Sequence, residues 1–213
     1  MEENTTKDRI LNAAERLFAD QGFYSAGIRA ITRMAGVNAA AVNYHFGSKE
    51  QLLEAVIVRR VTPLNTERLA LLEAALEKAA AEGKPPAVEA LVRALVVPTI
   101  RRLVEGGPDL RFHVLAGRMV TDPDEKLRQL FHQYMDDTIR AFVDAFCSAR
   151  PDLPLEAVVN RIQFAIGAML HTVHYLHGTH PAARVVKEIP GAFDAEAVTE
   201  RLIRFLVCGM EGP

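Results

Sequence analysis

Gly27-Ile28-Arg29-Ala30-Ile31-Thr32-Arg33-Met34-Ala35-Gly36-Val37-Asn38-Ala39-Ala40-Ala41-Val42-Asn43-Tyr44-His45-Phe46 is the stretch that decides the fold. Ile28, Ile31, Met34 and Ala35 recur at helical spacing, and Gly36 supplies a stop. Asn38 is a good N-cap for a second short helix, Ala39 to Phe46, which Gly47 ends. Two short helices joined by a tight glycine turn form a helix-turn-helix unit. The second helix of such a unit fits the DNA major groove, where base edges carry a distinguishable donor and acceptor pattern.

The pattern extends in both directions. Upstream, Ile10, Leu11, Ala14, Leu17 and Phe18 make one apolar stripe, with Thr6 as the expected N-cap and Gln21-Gly22 as the stop. Downstream, Ser48 caps a helix beginning Lys49-Glu50-Gln51-Leu52, and Gln51 completes the pattern of a capping box. Pro63 is expected to end or kink that helix, and Pro98 to kink a later one. Asp122 with Pro123 is expected to open one helix that runs to about Ala149. Leu155 to His177 is the most regular stretch. Residues 178–191 read as irregular, and Asp194 caps a last helix to about Val207. Alternating β-type runs are absent, so the chain is predicted to be all-α: an N-terminal three-helix helix-turn-helix domain and a C-terminal helical domain.

Composition narrows the function classes. The 213 residues are 49% hydrophobic and 24% charged, which is ordinary for a folded chain and excludes intrinsic disorder. Cys147 and Cys208 form no CxxC pair, which removes zinc ribbons, thioredoxin-type sites and disulfide scaffolds. Isolated reduced thiols, together with a polar start that lacks an apolar stretch, point to the cytoplasm. No run of 18 apolar residues exists, so no membrane span is expected. The net charge of −2 hides an asymmetry. Eight basic and five acidic residues lie between Lys7 and Arg60, giving +3 there and −5 elsewhere. A modestly basic reader of this kind needs two copies to bind DNA tightly, and its affinity should fall with salt.

Asn43-Tyr44-His45-Phe46-Gly47-Ser48-Lys49-Glu50-Gln51-Leu52 resembles the end of the recognition helix in the TetR family of bacterial transcription regulators. Ile10-Leu11-Asn12-Ala13-Ala14, Leu17-Phe18, Gly22-Phe23, Ile28-Arg29 and Ala35-Gly36-Val37 match as well, so the resemblance covers about residues 6 to 60. Gly36 to Lys49 looks like the fatty-acid- or acyl-CoA-responsive branch. Three departures stand out: Asn43 replaces a customary tyrosine, and Ala26 and Gly27 replace a customary Thr-Ser. Arg29 is the nearby candidate to make up the lost contacts. The DNA-binding residues are then Arg29, Asn38, Ala39, Ala40, Asn43, Tyr44, His45 and Lys49. Tyr44 and His45 can donate to phosphates, and Lys49 sits beside a helix N-terminus that suits a phosphate. The alanine methyls can meet thymine methyls, and Asn43 can read a base.

The resemblance implies a DNA-binding domain over 1–50, with its motif at 27–46, and a helical effector-binding and dimerisation domain over 51–213. It further implies a homodimeric repressor on a pseudo-palindromic operator, released by a hydrophobic small molecule, with a fatty acid or acyl-CoA among the candidates. Pocket candidates are Leu95, Pro98, Phe112, Leu115, Met119, Phe131, Met135, Phe164 and His171. Dimer candidates are Ile162, Ile166, Met169, Leu170, Val173, Leu202, Phe205 and Leu206. No cofactor, metal or catalytic residue is expected. Two other readings stay open: an all-α metal enzyme using His171, His174 and His177, and a DNA binder with no small-molecule effector. The sequence holds no catalytic triad, Walker loop or dinucleotide fingerprint.

Overall fold

The computed structural model describes residues 5–104, 109–120, 122–176, 181–186 and 188–212, and among these every regular element is a helix. In chain order they are α1 (Thr6–Gln21), α2 (Ile28–Ala35), α3 (Ala39–Phe46), α4 (Lys49–Glu82), α5 (Val88–Val104), α6 (Asp109–Val120), α7 (Glu125–His132), α8 (Asp136–Ala149), α9 (Leu155–Leu176), α10 (Pro181–Val185) and α11 (Ala195–Glu211). They form two compact units, one of residues 1–63 and 108–135, the other of residues 64–107 and 136–213. The expected border at residue 50 falls inside the first unit, which also takes in α6 and α7.

The first unit is organised by α1, which packs on α2, α3 and α6. Ile10, Ala14 and Phe18 are fully buried on its inner face, against Ile31 of α2, Val42 of α3 and Leu52, Leu53, Val56 and Ile57 of α4. Each large apolar side chain so buried contributes roughly 1.5–3 kcal/mol. One buried charge accompanies them. Glu15 is 1% exposed, and its Oε2 accepts from Arg59 Nη2 at 2.5 Å and from Arg60 Nε at 3.0 Å. Arg59 also donates to Asn12 Oδ1 at 2.8 Å. Two of the eight basic residues counted toward DNA binding are therefore committed to fastening α4 to α1.

The second unit packs α5 against α11, α8 and α9, and α9 against α8, α10 and α11. Leu91, Leu95, Ile100, Phe142, Phe146, Ile162, Met169 and Ile203 lie in its core. The α11 C-terminus, whose last carbonyls lack helical partners, is held by two arginines. Arg150 Nη1 donates to the Met210 carbonyl at 2.6 Å, and Arg161 Nη1 donates to those of Met210 and Gly212 at 2.9 and 3.0 Å.

Several boundaries differ from expectation. Thr5, not Thr6, caps α1, with Asp8 completing a capping box. α4 does not end at Pro63 but continues through it to Glu82. The single helix expected from Asp122 to Ala149 is two. Asp124 caps α7, whose last turn tightens through bonds from Tyr134 N to Phe131 O and from Met135 N to His132 O before α8 begins. The stretch read as irregular contains α10, and α11 runs four residues past Val207. Residues 177–180 and 187 lie outside the described residues.

The Arg150 guanidinium, besides holding α11, pairs with Asp152 at 2.7 Å and lowers that carboxyl from 3.8 to about 2. A depressed carboxyl stabilises the fold above its unfolded pKa, and the contribution disappears as pH falls through the folded one. In acid unfolding followed by circular dichroism, Asp152→Asn should therefore lose less stability than wild type between about pH 4 and pH 2, and the two should run parallel above that window.

Candidate nucleic-acid interface

The turn between α2 and α3 is set by Gly36, whose φ of 64° is left-handed. Val37 N reaches back to the Thr32 carbonyl at 3.0 Å, closing the end of α2. Asn38 then caps α3: its Oδ1 accepts from Ala40 N at 3.0 Å. Val42 and Phe46 face the core, so on a 3.6-residue helix Ala40, Asn43 and Tyr44 turn away from it, while Ala39 shares the face of Val42 and Phe46 one turn earlier and is exposed at the helix start. Ala39, Ala40, Asn43 and Tyr44 are all exposed, Tyr44 at 86%. The His45 ring, also exposed, stands edge-on to Tyr44 at 5.1 Å. On α2, Arg29 is exposed, and so is Arg33 one turn further on. Arg33 contributes to the basic charge of this segment and lies outside the expected site; its four-residue spacing from Arg29 is the signal that marks it.

Lys49 departs from expectation. Its ammonium stands 4.6 Å from the centroid of the Phe23 ring and donates to the Tyr24 carbonyl at 3.3 Å. Burial there lowers its pKa. The lysine thus braces the loop between α1 and α2 and is only partly open to solvent. The same loop is held from the other side: the Tyr24 hydroxyl donates to Asp124, the cap of α7, which pushes the phenol up to about 12 and the carboxyl down. Both contacts fix the approach to α2. Sequence spacing could not find the second one, because its partners are 100 residues apart.

The other candidate sites are placed as follows. Phe112, Leu115, Met119 and Phe131 are core residues of the first unit, and Met135 packs against them. Leu95 and Pro98 are buried in the second unit. Phe164 is 70% exposed and His171 is exposed, both on α9. The nine residues are thus divided between two units and between core and surface. Of the dimer set, Ile162, Met169, Val173, Leu202 and Leu206 are buried in their own unit, because the regular stripe of α9 and α11 is the side these helices turn inward. Ile166 and Leu170 are half-buried, and Phe205 is 70% exposed. A groove between α9 and α11 has both Phe164 and Phe205 in its walls, with Arg161, Ala165 and Gly209. His171 and His174 are present on α9, His177 lies outside the described residues, and no group of three metal-ligating side chains stands together among the described ones. No described helix is long and apolar enough to cross a membrane.

Residues 10–56 match the family model of bacterial regulatory proteins, tetR family, and residues 93–209 match that of the tetracyclin repressor-like C-terminal domain. The transcriptional regulator UidR of Escherichia coli K12 is 40% identical over 58 residues, which is 27% of this chain and 30% of UidR. SrpR of Pseudomonas putida is 39% identical over 66 residues, 31% of each chain. The likeness to these relatives therefore spans less than a third of their length. Among solved structures, the fatty acid degradation regulator FadR of Bacillus halodurans superposes over 99% of both chains with a TM-score of 0.69 at 16% identity. The hemolysin II transcriptional regulator HlyIIR covers 95% of this chain with a TM-score of 0.56 at 18% identity. At such identities the structural likeness shows the fold.

The break after α3 is also tightly specified. Gly47 has φ 77°, and a Cβ there would stand 2.3 Å from Gln51 Oε1. Ser48 Oγ accepts from Gln51 N at 3.1 Å, starting α4. Gly47→Ala should lower stability by about 1–3 kcal/mol in urea denaturation, since the backbone strain remains even if Gln51 swings away.

Proposed function

This chain belongs to the TetR family of DNA-binding transcriptional regulators, and from that premise we propose that it is a dimeric repressor, released from a pseudo-palindromic operator by a hydrophobic effector. The carrying observation is the bare outer side of α3, where Ala39, Ala40, Asn43 and Tyr44 meet solvent beside Arg29 and Arg33 of α2. Such a side offers methyls and one amide to base edges, with a phenol and two guanidinium groups for flanking phosphates. Asn38, His45 and Lys49 complete the set in lesser roles: Asn38 is engaged as a cap, and Lys49 steadies the loop that leads into α2. The DNA-binding part is residues 1–63, and effector binding and pairing belong to the later helices.

Pairing through the outer sides of α9 and α11 follows from Phe164 and Phe205. Two large aromatic side chains, each 70% exposed on either side of a groove, are costly to leave in water. A two-fold axis there buries both from each copy. Recognition helices then meet successive major grooves, roughly 34–36 Å apart. α4 carries residues of both units, so an effector with different affinities for two arrangements of the chain could act on DNA through it. The fold shared with FadR of Bacillus halodurans, a regulator of fatty acid degradation, supports an acyl-type ligand in this reading.

Operators selected from a random-sequence pool and read by fluorescence anisotropy test the DNA side. Tyr44→Ala should weaken binding at least about tenfold with an unchanged melting temperature. Arg33→Ala should reduce the slope of log Kd against log salt by about 2 for a dimer, one phosphate contact per half-site. Binding equal to wild type in both variants would remove α3 and α2 from the interface. For pairing, Phe205→Glu should sediment as a monomer and lose operator affinity by about 100-fold or more, with its helical circular dichroism intact. A dimer that survives this change would place the two-fold axis elsewhere.

A further inference from the structure

The exposed part of α3 carries few groups able to read a base. Ala39 and Ala40 end in a methyl, and the rings of Tyr44 and His45 stand edge-on to each other at 5.1 Å. Asn38 is engaged as the cap, its oxygen held by Ala40 N at 3.0 Å. Asn43 differs. It is exposed, and its side-chain amide takes part in no hydrogen bond among the described residues. Its backbone is fixed, because its carbonyl accepts from Gly47 N at 3.0 Å where α3 ends. A helix sets each residue beside those three and four before it, so Asn43 projects just past Ala39 and Ala40.

This combination suits close approach. The asparagine carboxamide stands one methylene from the backbone, so it reaches a base edge only where the helix seats deep in the groove. Long neighbouring side chains would hold the helix off, whereas Ala39 and Ala40 do not. Arg29 and Arg33 are exposed on α2, and the first helix of a helix-turn-helix crosses the sugar-phosphate backbone. Their charges then serve phosphates and leave the base edges to α3.

The chemistry of the amide selects among bases. In the major groove adenine offers the N7 acceptor beside the N6 donor, and a carboxamide carries its NH2 and its oxygen in the matching order. Guanine presents two acceptors, cytosine a donor alone, and thymine an acceptor with a methyl, so none of them satisfies both halves of the amide.

We propose that Asn43 is the specificity-determining residue of α3: it reads one adenine in each operator half-site through N6 and N7, while the Ala39 and Ala40 methyls lie against the methyl of a neighbouring thymine. The assignment rests on the DNA-binding reading above and adds the base that is read.

The test uses the full chain and an operator selected from a random-sequence pool, with affinities read by fluorescence anisotropy at fixed salt. Each adenine of the half-site is replaced in turn, in both half-sites, by 7-deazaadenine, which loses the N7 acceptor and keeps its base pairing. At one position wild type should lose at least about tenfold, and exchange of that pair for G·C should cost about 100-fold over the two half-sites. In Asn43→Ala both penalties should vanish there and persist elsewhere, with the salt slope unchanged because no phosphate contact is lost. The position is exposed and alanine is the better helix former, so the variant keeps its fold. Deoxyuridine in place of the neighbouring thymine should weaken wild type by about two- to fivefold; an unchanged affinity would overturn the methyl contact. Penalties that persist at every position in Asn43→Ala overturn the adenine assignment. So does an equal loss on all sequences with a shallower salt slope, which would make Asn43 a phosphate contact. A selected operator in which no adenine responds to 7-deazaadenine overturns the assignment and leaves the DNA-binding reading standing. A pool that yields no enriched sequence takes down the operator reading and this assignment with it.

Discussion

The inner face of α1 is the constraint on which the first unit depends. Ile10, Ala14 and Phe18 exclude water from the surfaces of α2, α3 and α4 at once. Short helices such as α2 and α3, of eight residues each, are not stable alone in water. They persist because α1 gives their apolar sides a common partner. Glu15 reinforces the arrangement and limits it. Its carboxylate is buried between Arg59 and Arg60, so removing either acid or bases would strand a charge in a low-dielectric place. The orientation of the recognition helix is therefore a property of α1 and α4 rather than of α3 itself.

Much of this was legible in the sequence because it is local. Gly36, Asn38, Gly47 and Ser48 act within four residues of where they stand, through backbone angles and caps, and the bounds of α2 and α3 came out as read. The exposure of Ala40, Asn43 and Tyr44 follows from two buried positions and a fixed period. Legibility failed where partners are far apart in the chain. Nothing near Asp122 indicates that the helix should break at Gln133 to Met135, since no glycine or proline stands there. The break coincides with the passage from one compact unit to the other, and the Tyr134 hydroxyl there donates to Glu54 of α4.

The later helices show the complementary failure. Their apolar residues are so numerous that periodicity marks a buried side without saying what covers it. Ile162, Met169 and Leu206 face their own unit, while Phe164 and Phe205, at less regular positions, face outward. The charge count misled in the same way. Arg59 and Arg60 add to the formal +3 of the N-terminal segment, yet their side chains are spent on Glu15. A sum of charges reports composition, whereas an interface is made by those charges that remain directed at solvent.

Asn38 carries one more consequence. A free asparagine amide can present either its oxygen or its nitrogen, and so can address donors and acceptors alike. Here the oxygen is held by Ala40 N, which fixes the amide against rotation. The cap that precedes α3 thus has its amide oxygen turned to the helix, and any contact Asn38 made with an outside group would use its NH2 donors.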